Sequence, residues 1–343
     1  MTESDTAAAV PEAPAVATAT ALSGVVPWLE RHQVALYLLA LIAGGVLGLG
    51  APAVAEPAEA AINPVLVLLL YATFLAVPVR RIVDAVRDWR FLATIGALNF
   101  LLVPLVVWLL TRPIADDRVV LVGVLFVLLA PCIDYVIVFT GLVGGASDRL
   151  LSATPVLMLA QMVALPLYLW LFVGADVVES VEPGPFLEAF LLLILLPLTA
   201  AAVTQWVASG SGRPARAATA VDAVFSAAMV PLMMATLAVV VASQIHGVAS
   251  RWDTLAKVVP VYLAFAVVMT LVGALVGRLA RQDAAARRAT VFTGVTRNSL
   301  VVLPLVLALP DDYQLAPLVV VTQTLVELLV MVALVRLVPR MVR

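Results

Sequence analysis

The chain has 343 residues, 64 % of them hydrophobic and only 12 % charged, with a formal net charge of −2; a soluble domain carries about 25 % charged residues. That balance excludes a soluble globular protein, and with no basic patch to invite one, no nucleic-acid partner is expected. One cysteine in the whole chain excludes an internal disulfide and any multi-cysteine metal site.

Residues 1–32 are rich in Ala, Thr, Pro, Val and Glu and lack the basic start, apolar centre and small-residue cleavage site of a signal peptide. The composition predicts a disordered cytoplasmic tail. Apolar runs then recur at 33–50, 62–79, 91–111, 119–143, 150–174, 186–207, 222–245, 255–279, 289–309 and 315–338. Each is near the roughly 20 residues needed to cross a bilayer core. With 22 prolines and 18 glycines spread through them, these runs predict an all-α polytopic membrane protein of about ten kinked helices, not an outer-membrane barrel.

Orientation follows from the basic residues of the loops. Arg31, Arg80, Arg81, Arg87, Arg90, Arg149, Arg213, Arg216, Arg278, Arg281, Arg287, Arg288, Arg336, Arg340 and Arg343 all fall on one side. The alternate loops hold only Arg112, Arg118, Arg251 and Lys257, together with acids such as Glu56, Glu59, Asp176, Glu179, Glu182, Asp311 and Asp312. An inner cell membrane with both termini cytoplasmic is the expected placement.

Ten spans divide into two fives of opposite orientation, 33–174 and 175–340. Asp88-Trp89-Arg90 after span two is echoed by Arg251-Trp252-Asp253 after span seven. A shift near that spacing lays span four over span nine and brings Cys132 close to Asn298. Inverted repeats cross such spans near the midplane, where secondary transporters hold their substrates.

Both spans carry residues that lipid forbids. Span four contains Ala130-Pro131-Cys132-Ile133-Asp134-Tyr135, and span nine contains Thr296-Arg297-Asn298-Ser299. Pro131 cannot donate a main-chain hydrogen bond and clashes with the preceding turn, so it is the expected helix break. Asp134, Arg297 and Glu327 are the charges left inside the spans, and an Asp134–Arg297 pair would offset a cost of about 3 kcal/mol per buried charge. That pair is either a static lock between two helices or a titrating, substrate-linked couple. Cys132 is a small buried hydrophobe or a ligand. Gln323 and Glu327 share a helical face, so Glu327 either supplies interhelical hydrogen bonds or carries the coupling proton. Asn99 and Gln161 fit helix–helix hydrogen bonding. No phosphate loop, Ser–His–Asp set, metal-ligand cluster or cofactor motif occurs, so no enzyme activity is expected.

At these residues the chain resembles the bile acid/sodium symporter superfamily, and more specifically its arsenical-resistance permeases, which export arsenite. The resemblance rests on Ala130-Pro131-Cys132-Ile133-Asp134-Tyr135-Val136, on Phe292-Thr293-Gly294-Val295-Thr296-Arg297-Asn298 and on Leu325-Val326-Glu327. It implies a panel domain and a core domain, with spans four and nine unwound and crossing in the core. It also implies a Cys132 thiolate that ligates trivalent arsenic or antimony as substrate, with export driven by protons. Departures are Pro131 where those permeases have Arg, Asp134 where they have a small residue, and Leu300 where they have Glu. The sodium-site signature of the bile acid branch is missing, which disfavours sodium coupling.

The expectation is therefore a proton-coupled exporter of arsenite or a related metalloid. In it Cys132, Asp134, Arg297, Asn298 and Ser299 contact substrate, and Asp134, Arg297 and Glu327 couple. The alternative keeps the fold and carries a small organic anion, with Arg297 as counter-ion and Cys132 as packing. A sensor or scaffold is the third reading, disfavoured because no soluble domain accompanies the spans.

Overall fold

The computed structural model describes residues 14–76, 88–133, 135–174 and 191–343. The described residues form helices joined by short turns, with one isolated β-bridge between Pro131 and Arg297. The helices are α1 (Pro14–Gly50), α2 (Ala55–Ala76), α3 (Trp89–Ala97), α4 (Val103–Leu110), α5 (Arg118–Leu128), α6 (Tyr135–Leu142) and α7 (Ser147–Val173). They continue with α8 (Leu196–Ala208), α9 (Arg213–Ser250), α10 (Trp252–Leu255), α11 (Val259–Leu279), α12 (Ala284–Val295), α13 (Ser299–Leu307) and α14 (Ala316–Met341).

Seven helical segments among the described residues are long and apolar enough to cross a membrane. Spans four and nine fall short for a physical reason. Span four is split into α5 and α6, and span nine into α12 and α13, so neither half reaches bilayer length. Span six is described from a π-helical turn, Leu191–Leu195, through α8, and its expected start at 186 lies outside the described residues. All six tryptophans are exposed and stand near span ends. Trp28, Trp89 and Trp206 lie on the arginine-rich side and Trp108, Trp170 and Trp252 on the other, the paired aromatic belts of a membrane protein.

One expectation is corrected at the N-terminus. The tail expected to be disordered over residues 1–32 is helical from Pro14, continuous with α1. Its Ala-rich sequence has high helix propensity, so the helix extends beyond the apolar span. Residues 1–13 lie outside the described residues.

Helix packing divides the spans into two groups. Helices α1, α2, α8 and α9 pack on one another as a panel, while α3–α7 and α11–α14 form a core with the two broken spans inside it. In the panel, Gly44 and Gly48 of α1 lie against the backbone of Ala238 and Ala242 of α9, close enough that a Cβ at either glycine would collide with a carbonyl. Small residues four apart on both helices replace the hydrophobic effect, which lipid cannot supply, with close backbone packing. At the arginine-rich end of the core, Arg149 reaches Asp88 and Asp283 at 3.5 and 3.3 Å. Arg288 there donates to the carbonyls of Val143 (2.8 Å) and Val342 (3.1 Å).

Candidate functional site

Span four breaks around Pro131, which has no amide hydrogen and removes one helical hydrogen bond; proline alone does not stop a helix here, since α2 and α9 run unbroken through Pro64 and Pro231. The residue before it is pushed toward extended backbone, so α5 stops at Leu128 and α6 begins at Tyr135. Span nine breaks at Thr296, which is extended (φ −74°, ψ 135°). Asn298 then starts α13 as an N-cap, its side chain accepting from the Val301 amide at 3.3 Å.

The two breaks meet. Cys132 N–H donates to Thr296 O at 3.3 Å, and Asn298 N–H donates to Ala130 O at 2.9 Å. These bonds form the antiparallel bridge between Pro131 and Arg297. Two main-chain segments that would otherwise be unsatisfied at membrane depth thereby satisfy one another. The crossing joins Cys132, Arg297, Asn298 and Ser299, all at most 1 % exposed.

Arg297 is fully buried, and its guanidinium is held from several sides. Nη2 donates to Asn99 Oδ1 (2.9 Å), Thr293 O (2.6 Å) and Gly294 O (2.8 Å), while Nη1 donates to Leu128 O at 3.4 Å. The Phe265 ring lies 5.4 Å beneath it. Thr293 and Gly294 are in the last turn of α12, and Leu128 ends α5. One cation therefore sits on the negative ends of both half-helices. Asp134, its expected partner, lies outside the described residues.

Glu327 serves the opposite polarity. Its carboxylate accepts from Arg297 N–H at 3.0 and 3.2 Å, at the positive start of α13, and from Gln323 Nε2. Arg297 and Glu327 are thus linked through the arginine's main chain. Asn298 Nδ2, Ser299 Oγ and Gln323 Oε1 are buried without hydrogen-bond partners among the described residues. Such atoms carry a desolvation penalty unless something else satisfies them.

Asn99, expected as helix–helix glue, has a sharper position. It lies in a π-helical turn, Leu98–Leu102, and besides accepting from Arg297 it donates to Thr293 Oγ1 at 3.2 Å. The turn displaces a main-chain carbonyl at Phe100, which accepts from Tyr168 Oη. Phe265 was not identifiable from the sequence, where it is one apolar residue among many.

Beside the crossing, a cavity of about 170 Å³ opens between core and panel, lined by Leu69, Thr73, Ile133, Ile137, Met229 and Met233 among others. Its walls are nearly all apolar, so periodicity offered no signal for it. Ile133 lines the cavity, whereas the Cys132 side chain packs into the main core cluster. Extended backbone points successive side chains to opposite sides, which accounts for the difference. A smaller cluster joins Ile133 and Val301 of the crossing to Leu70 and Phe74 of α2 and Met158 of α7.

A hydrogen-bonded crossing of two broken spans, set against a separate panel of helices, is the arrangement of a secondary transporter. No curated protein matches the chain. The family model described as Sodium Bile acid symporter family matches residues 63–251, from span two through the end of span seven and including the break in span four. As that match covers more than half of its length, this multi-pass membrane protein belongs to the sodium bile acid symporter family, a family of transporters.

Proposed function

We propose that the protein is a proton-coupled secondary transporter that exports arsenite or a related trivalent metalloid. The observation that carries this reading is the position of the chain's one cysteine, buried at the crossing with its own amide in the bridge. A thiol is the soft ligand that trivalent arsenic requires. Asn298 and Ser299, with buried unpartnered polar atoms at the same crossing, are the further substrate contacts in this reading, and Asp134 joins them by sequence position. Arg297 and Glu327, joined at the start of α13, are the coupling candidates together with Asp134.

Residues 33–174 and 175–340 act as inverted repeats in this reading. The carbonyls of Leu128 and Gly294 support it: they stand 166 residues apart, as Pro131 and Arg297 do, and both accept from the Arg297 side chain. Both termini are cytoplasmic and the membrane is the inner cell membrane, as the loop arginines favour.

The test is arsenite uptake into everted vesicles with and without a proton gradient, for the parent and Cys132→Ser. Gradient-driven uptake in the parent that vanishes in the variant at equal protein level is expected. Uptake that survives the substitution removes the thiol from the mechanism. The second reading, a small organic anion on the same fold, is favoured by the apolar cavity between core and panel. In that reading Arg297 must exchange its bonds to helix-end carbonyls for the substrate, and carboxylate binding disappears in Arg297→Ala.

A further inference from the structure

The separation of Pro131 from Arg297, 166 residues, is the shift that exchanges the two bridge hydrogen bonds. The same shift carries Leu128 onto Gly294, and both of their carbonyls accept from Arg297. It carries Asn99 onto Phe265, which flank the same guanidinium. It also carries Gln161 of α7 onto Glu327 of α14.

The two members of that last pair have different surroundings. Glu327 accepts the main-chain N–H of Arg297. The matching atom in the other half is the nitrogen of Pro131, which has no hydrogen to give. Gln161 therefore stands at the matching position without that donor. It is only 5 % exposed, and its Oε1 is buried with no partner among the described residues. Helix α7 passes the crossing at this height, since Met158 and Met162 pack in the cluster that holds Ile133 and Val301.

We propose that Gln161 is a substrate-contacting residue whose carboxamide oxygen accepts a hydrogen bond from a neutral, hydroxyl-bearing solute at the crossing. This rests on the metalloid reading, since arsenous acid is uncharged at neutral pH and presents three O–H donors. The chemistry of the atom selects the ligand class. A buried acceptor oxygen is satisfied by a hydroxyl donor and repels an oxyanion or carboxylate. Ser299 Oγ and Asn298 Nδ2, also unpartnered, supply the further donor and acceptor such a solute can use.

The test is the concentration dependence of arsenite uptake into everted vesicles at a fixed proton gradient, for the parent, Gln161→Leu and Gln161→Met. Unfolding midpoints of the purified proteins are measured alongside. Loss of one hydrogen bond to a neutral solute is expected to raise KM about tenfold while kcat stays within about twofold. The midpoint is expected to hold or rise, because the substitutions delete an unsatisfied buried atom. Gln161→Met, which matches glutamine in length, serves if Gln161→Leu fails to accumulate. Unchanged KM with a lowered midpoint overturns the proposal and makes Gln161 a packing residue. Sodium-dependent uptake whose sodium dependence is lost in the variants also overturns it. If a folded parent takes up no arsenite, the metalloid reading falls and this inference with it.

Discussion

Replacing Arg297 with leucine tests what the buried cation is for. The substitution removes the donors that Asn99 Oδ1 and the carbonyls of Leu128, Thr293 and Gly294 receive from this side chain. A buried acceptor left unsatisfied costs about 1–3 kcal/mol, so four cost about 4–12 kcal/mol. Holding the guanidinium at membrane depth itself costs about 3 kcal/mol, which leucine recovers. The balance is a destabilisation of about 1–9 kcal/mol, with about 5 kcal/mol as its centre. That is a large share of a typical folding free energy of about 5–15 kcal/mol. Lysine should fall between, because an ammonium keeps the charge but lacks the fork that reaches two helix ends at once. Denaturant titration of the purified protein in mixed micelles measures the effect. An Arg297→Leu protein within about 1 kcal/mol of the parent that has nevertheless lost transport would refute this reasoning. Arg297 would then belong to the substrate, not to the ends of α5 and α12.

Glu327→Gln keeps one oxygen to accept the Arg297 amide and removes the charge, its new NH2 facing a Gln323 amide that can turn its oxygen toward it, so it should accumulate and lose the response of uptake to a proton gradient. A gradient response equal to the parent's would take the coupling role away from Glu327. Gly48→Val drives a branched side chain into the backbone of Ala242. It should lower the unfolding free energy by about 2 kcal/mol or more or prevent accumulation, while Gly45→Ala, facing open space apart from a distant Val241 methyl, should be nearly neutral. Arg281 closes α11 at φ 52°. Its amide donates to Arg278 O and that of Gln282 to Gly277 O, the paired bonds of a left-handed helix stop. Arg281→Gly should raise stability by about 1 kcal/mol, and an unchanged or lowered midpoint counts against strain at that position.

Much of the architecture was legible in the chain because lipid is an unforgiving solvent. Every main-chain polar group at membrane depth must be paired, so long apolar runs are read as helices. The same rule marked the two turns around Pro131 and Arg297 as places where the helix had to fail, and the crossing lies there. Asn99 and Gln161 stood out as polar residues in apolar spans for the same reason. What each of them faces was not legible, because hydrogen-bond direction depends on packing between segments far apart in sequence.

The sequence by itself determined the solvent, the all-helical class and the two places where spans fail, since these follow from local composition and from polar residues set in apolar runs. Only the tertiary structure decided that Arg297 faces two helix C-termini, that its amide meets Glu327 through the main chain, and that Ile133 lines the panel–core cavity while Cys132 packs into the main core cluster. Those outcomes depend on which carbonyls and side chains arrive at one point when α5, α12 and α14 pack together. Partners lying 30 to 198 residues away in the chain leave no periodicity for a sequence to carry.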